Sequence, residues 1–200
     1  MSRCPWPGDD ELMISYHDME WGVPLHDDRA LFEFLVLDGF QAGLSWRSVL
    51  RKRDSFRRVF GGFDPELVAR FSENDIERLL QDAEIIRNRA KVRAAVTNAQ
   101  AFLKVRDEFG SFDGFIWKFT GGVPLVNYWE ALSQVPARSE ESDNMSRELV
   151  QRGFKFAGSV ICYAFMQAAG MVNDHLVTCP RWVEVQNATT LPGSPGQTKS

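Results

Sequence analysis

Ala30-Leu31-Phe32-Glu33-Phe34-Leu35-Val36-Leu37 is almost unbroken in apolar character, with one charge in eight residues. Such a run reads as a helix buried on most of its faces, so the rest of the chain must be built around it. It runs straight into Asp38-Gly39-Phe40-Gln41-Ala42-Gly43-Leu44-Ser45-Trp46, and Ser45 is placed to N-cap a second helix carrying Trp46, Val49, Leu50, Phe56 and Val59. A carboxylate at the end of a buried helix is costly unless something polar or cationic meets it. Glycines let backbone approach another surface, and Leu44 beside them has the shape of a wedge. A plain helix–helix turn with ordinary core residues explains the stretch equally simply.

No strand alternation persists anywhere, so the predicted fold class is all-α. Two hundred residues, 44% of them hydrophobic and including fifteen Phe and six Trp, suffice for a core in one domain or two joined lobes. A formal charge of −4 gives no global attraction to a polyanion, so a nucleic-acid role requires a local basic face. Arg47, Arg51, Lys52, Arg53, Arg57 and Arg58 offer such a stripe, although runs of this kind are more often solvated faces. No apolar run approaches the ~20 residues needed to span a bilayer, and Met1-Ser2-Arg3-Cys4 is no signal peptide, so no membrane role is expected. Three cysteines make a poor disulfide framework, and the expected compartment is the cytoplasm.

Along the chain, Glu11 to Glu20 reads as a short helix with Tyr16 and Glu20 on one face, and Asp27 or Asp28 starts the buried helix. Asp64-Pro65 and Ser72-Glu73-Asn74-Asp75 are helix starts, the second a capping box with Asp in place of Glu. Ala83 to Lys91 turns into a long helix burying Val92, Ala95, Val96, Ala99, Phe102 and Leu103. Ser142 is predicted to cap a helix that Gly153 ends. Phe154-Lys155-Phe156-Ala157-Gly158-Ser159 then turns into an apolar helix, and Lys155 and Gly158 in that turn suit a phosphate contact. From Arg181 the composition shifts to Asn, Thr, Pro, Gly and Ser, which predicts a disordered tail over 181–200 and leaves 1–180 as a single unit of two packed lobes.

Cys4 and His17 near one end, and His175 and Cys179 near the other, could together furnish a closed tetrahedral zinc set. The H-x3-C spacing puts the second pair on one face if that piece is helical. Sequence does not say whether the halves meet, and a lone Cys or His is usually packing. Cys162 lies inside an apolar helix and reads as core.

Cys4-Pro5-Trp6, Tyr16-His17-Asp18-Met19-Glu20-Trp21-Gly22-Val23-Pro24 and Gln41-Ala42-Gly43-Leu44-Ser45-Trp46 resemble the bacterial 3-methyladenine DNA glycosylase I family. Asp82 to Arg87, Gly153 to Phe156, Ile161-Cys162-Tyr163 and Val172-Asn173-Asp174-His175 are similar too, so the likeness spans roughly residues 3–180. It implies a helix-hairpin-helix glycosylase fold in which one structural zinc on Cys4, His17, His175 and Cys179 joins the N- and C-terminal segments. It implies a monomer that binds alkylated double-stranded DNA and flips the lesion base among Trp6, Tyr16, Trp21 and Trp46, with Asp38 as the catalytic acid. Gln41, Gly43 and Leu44 would meet the lesion, and Lys155 and Gly158 the backbone. The implied activity is hydrolysis of the N-glycosidic bond of 3-methyladenine, leaving an abasic site. No lysine stands at the hairpin position that strand-cleaving relatives use, where this chain has Ser159 and Val160. Asn173 takes the place of the aspartate common in the wider superfamily.

Two positions depart from the family pattern: Asp38 replaces a usual glutamate, and Met13 stands where tyrosine is frequent. These departures keep open a zinc-stabilised DNA-binding protein of the same fold with altered catalysis. The acidic overall charge keeps open a small-molecule enzyme.

Overall fold

The computed structural model describes residues 2–190. They form eleven α-helices, of which α2 (Asp28–Gln41) is the central one. Asp27 caps it, its carboxylate accepting from the Ala30 N–H at 2.8 Å. Leu31, Phe32 and Leu37 are fully buried, and each such side chain contributes about 1.5–3 kcal/mol relative to exposure. α2 packs against α3 (Trp46–Leu50), α7 (Arg89–Phe109), α8 (Phe112–Trp117) and α10 (Ser159–Ala168). Asp28 fixes α8 by accepting the N–H groups of Phe112 and Asp113 at 3.0 and 2.7 Å.

The expected all-helical class holds, with one small addition. Leu125–Val126 (β1) and Val172–Asn173 (β2) form a two-residue parallel pair, Leu125 opposite Val172. Two further starts fall where the caps put them, Asp64 before α5 (Pro65–Val68) and the Ser72/Asp75 box before α6 (Glu73–Gln81), and Asp10 caps α1 (Glu11–Met19).

Four local expectations change. α2 continues through Asp38, Gly39 and Gln41, so only Ala42–Ser45 forms the turn. The helix after Ser45 breaks at Arg51-Lys52 into α3 and α4 (Arg53–Val59). Ser139, not Ser142, caps α9 (Glu140–Gln151); Ser142 is the partner in that capping box. Residues 181–190 belong to α11 (Pro180–Thr190) rather than to a tail. Trp182 explains that change, because its indole donates to the Asn127 carbonyl at 2.8 Å and Asn173 donates to its own carbonyl at 2.9 Å. The remainder of the predicted tail, 191–200, lies outside the described residues.

Candidate functional site

A cavity of about 240 Å³ opens beside the carboxy-terminal half of α2. Its aromatic wall is Trp6 from the turn before α1, Tyr16 from α1, Trp21 from the turn after it, and Trp46 from the first turn of α3. Ring centroids lie 5.1 Å apart for Trp6 and Trp21, 6.3 Å for Trp6 and Tyr16, and 5.2 Å for Tyr16 and Trp46. Phe34 backs Trp46 in a stacked arrangement at 6.5 Å. Asp38 lines the cavity from α2, and Gln41 stands one helical turn further on.

Asp38 is 2% exposed, and its Oδ2 has no hydrogen-bond partner among the described residues. The indole N–H groups of Trp6 and Trp46 are likewise buried and unpartnered. Burial alone pushes the Asp38 carboxyl well above the usual carboxylate range, which favours the uncharged acid until a cation arrives. The Tyr16 hydroxyl is also pushed up, by burial first and then by the charges of Asp38 and Glu20. One buried acceptor and two buried donors without partners are expensive in a protein interior, and a planar polar ligand would satisfy them.

Sequence reasoning missed part of the lining. Leu132 and Val135 close one side from the segment before α9, and Ala164, Gln167 and Ala168 come from α10, while Met13 of α1, noted above as a departure from the family pattern, lines the cavity too. None carries a chemical signature that composition or spacing exposes. Asp174 also reaches the cavity, but its carboxylate accepts from Asn127, Trp129, Tyr163 and Gln167 at 2.7–2.8 Å. Four donors satisfy that buried charge and anchor the segment that follows it. Asn173 is structural as well, its amide oxygen accepting the His175 N–H at 3.3 Å.

Behind Trp6 and Trp21, the buried side chains of Cys4, His17, His175 and Cys179 bring their ligand atoms within 4.8 Å of one another. His17 Nε2 and His175 Nδ1 are 3.2 Å apart, and each thiol sulfur lies 3.8–3.9 Å from the imidazole nitrogens it faces. His17 Nδ1 meets Asp18 Oδ1 at 2.7 Å and His175 Nε2 meets the Trp21 carbonyl at 3.0 Å. Those outer partners are acceptors, so both outer nitrogens carry the proton and the inner lone pairs point at each other. Burial pushes the Cys4 thiol up to about 12 and the His175 imidazolium down to about 3. Opposed lone pairs flanked by two sulfurs suit a bound cation, and the group can hold a metal ion. The segment from His175 to Cys179 is not helical; the two ligands meet through a turn, the Cys179 N–H donating to the Leu176 carbonyl at 2.8 Å.

At the rim, the Leu44 N–H donates to the Gln41 carbonyl at 2.6 Å, closing a tight turn. Gly43 sits there at φ +75° with open space around it, so conformation rather than crowding calls for glycine. Leu44 is 44% exposed. α9 and α10 form a hairpin whose joining turn exposes Lys155 and Gly158. The basic stripe is largely committed to ion pairs within the chain, most of them at the surface. Arg47 and Arg51 meet Asp10; Arg53 meets Glu20 and Glu33; Arg57 meets Glu33; and Arg58 meets Asp82 and Glu84. Lys52 donates to the carbonyls of Ala83 and Glu84.

A helical scaffold holding an aromatic cage with one unpaired carboxyl beside an exposed wedge-like turn defines a protein that captures a flat nitrogenous ring. The chain belongs to the methyladenine glycosylase family, whose model matches residues 6–182. It is 50% identical over 179 residues to DNA-3-methyladenine glycosylase 1 of Escherichia coli (strain K12), covering 90% of this chain and 96% of that protein. The solved structure of a 3-methyladenine DNA glycosylase I superposes with a TM-score of 0.88 at 47% identity, covering 90% and 98% of the two chains. A Staphylococcus aureus 3-methyladenine DNA glycosylase I, whose structure concerns 3-methyladenine recognition, gives 0.87 at 38% identity, covering 90% and 96%.

Proposed function

We propose that this protein is a repair glycosylase that hydrolyses the N-glycosidic bond of 3-methyladenine in alkylated double-stranded DNA and leaves an abasic site. The observation that carries this reading is the unpartnered Asp38 carboxyl buried in a cage of four aromatic rings. Methylation at N3 makes the adenine cationic and weakens its bond to the sugar. The base enters the cage only when rotated out of the duplex. Trp6, Tyr16, Trp21 and Trp46 offer their π-faces to its charge. Asp38 ionises against the cation and accepts from the exocyclic amine.

As the bond to C1′ breaks, its electron pair passes to the base, which leaves neutral. Water adds to the oxocarbenium-like sugar and gives up a proton to solvent. Among the described residues no lysine lines the cavity, so no imine forms and the strand stays intact. Gln41, Gly43 and Leu44 fill the vacated stack, while Lys155 and the hairpin turn at Gly158 hold the backbone. The metal is zinc, held by Cys4, His17, His175 and Cys179 in a closed set that fastens the chain's two ends. Residues 1–180 work as one unit, as a monomer in the cytoplasm; among the described residues no helix is long and apolar enough to cross a membrane.

Incubation with N-methylated duplex DNA and chromatography of the supernatant tests the assignment. Free 3-methyladenine is the expected product. Duplex binding without release would leave a lesion-binding protein of altered catalysis, and neither would point to a small-molecule ligand.

A further inference from the structure

Lys91 is 7% exposed, and no carboxylate meets it. Its ammonium donates to the carbonyls of Phe40 and Ala42 at 2.8 and 2.5 Å. Those carbonyls end α2, whose last turn has no basic residue of its own. Lys91 therefore supplies from α7 the cation that the negative end of α2 lacks, just where the Ala42–Ser45 turn leaves the helix. Burying an ammonium is costly, and burial lowers its pKa. Two turns further along α7, Asn98 is 4% exposed and clamps the hairpin backbone at both groups of one residue. Its amide donates to the Lys155 carbonyl at 3.0 Å, and its oxygen accepts the Lys155 N–H at 2.7 Å.

Phe156 lies beside these contacts, its ring centroid 6.0 Å from the Lys91 ammonium. Phe156 holds φ +53°, a strained value for a residue with a side chain. Phe156 packs close to Gly39, where a Cβ would meet the Phe156 Cβ at an ordinary contact distance of 3.5 Å. Lys91 and Asn98, seven residues apart on one face of α7, thus grip the rim turn of the cavity and the hairpin turn respectively.

We propose that α7 is a register clamp in which Lys91 and Asn98 fix the wedge turn and the hairpin turn at a set spacing, so that both meet one duplex together. The proposal rests on the glycosylase reading for what the two turns touch. Lys91 and Asn98 are positioning residues and do not reach the base. Rigid spacing matters because the wedge acts only while the hairpin holds the flanking backbone in place.

The test uses the zinc-replete protein as Lys91→Met, Lys91→Arg, Asn98→Leu and the Lys91→Met/Asn98→Leu pair. Three quantities are read: hydrogen exchange at the Leu44 amide, single-turnover release from methylated duplex, and affinity for free 3-methyladenine by indole fluorescence. Lys91→Met is expected to speed Leu44 exchange and to slow release by about tenfold each, with free-base affinity within about twofold of wild type. Lys91→Arg should recover most of both losses. The double variant should be no more than about threefold slower than the slower single, because a spacing can be lost only once. Unchanged Leu44 exchange in Lys91→Met, multiplicative losses in the double variant, or free-base affinity falling in step with release would overturn the clamp. A wild-type protein that releases no base sinks the glycosylase reading instead, and Leu44 exchange still decides whether Lys91 holds the turn.

Discussion

Asp38→Asn separates a carboxyl that reads the base from one that merely occupies the core. The substitution keeps the size, removes the ability to ionise, and turns one acceptor into a donor. A hydrogen bond from a cationic base to a carboxylate is worth about 1.5–3 kcal/mol, so release of 3-methyladenine should slow by about tenfold to a hundredfold. Stability should move the other way. In the unfolded chain Asp38 titrates near the ordinary value of about 3.9; in the fold, burial raises it well above that. Between the two values the folded protein retains a proton that the unfolded chain has released. Asp38 therefore contributes stability fully only below the unfolded value, and that stability is lost as pH rises toward the folded one. Asp38→Asn abolishes this loss, worth up to about 1.4 kcal/mol per pH unit within the window. Melting curves of both proteins between pH 4 and neutrality should diverge in favour of the variant as pH rises, while single-turnover release falls. Wild-type release by Asp38→Asn, or parallel melting curves, would show that the carboxyl is neither a reader nor held in its acid form.

Asp38→Glu should retain or increase release, because one more methylene carries the carboxylate about 1.5 Å further into the cavity; a large loss would show the cage too tight for it. Metal analysis of protein purified without chelator should find one zinc per chain. Cys179→Ser should lower the melting temperature and release it, and metal-free protein of unchanged stability would contradict the assignment. Leu44→Ala should weaken extraction of the lesion while leaving binding to undamaged duplex nearly intact, since the side chain is exposed and supports no core. Equal losses in both assays would indicate misfolding. Borohydride added during turnover should trap no protein–DNA adduct, and a trapped adduct would require an amine nucleophile that the described cavity lacks.

Where sequence spoke clearly, it spoke through local chemistry. Caps at Asp27, Ser45, Asp64 and Ser72 marked helix starts because short polar side chains meet the first free N–H groups directly. The roles of Trp6, Tyr16, Trp21, Trp46 and Asp38 were legible only through the family resemblance, since aromatic rings and a helix-end carboxylate read equally as core. Lys91 and the arginines of the stripe were harder to place, since a charge run looks the same whether solvated or paired. Only the fold shows Arg53 sandwiched between Glu20 and Glu33, and Lys91 turned inward onto carbonyls. Residues 181–190 misled for a related reason: a polar composition hides the single indole, Trp182, that pins the helix to the loop beside β1. Leu132, Val135 and Gln167 were invisible because cavity walls are made by topology.

The joining of Cys4 to His175 across 171 positions has a consequence for synthesis. Closing a loop of that length costs about 4.6 kcal/mol of chain entropy beyond a constant, which only late, strong contacts can offset. While the ribosome is still extending the chain, Trp21 lacks the His175 ring on which it packs at 4.7 Å between centroids. A product that stops before position 175 would leave the Trp21 side of the aromatic wall without the ring it packs on.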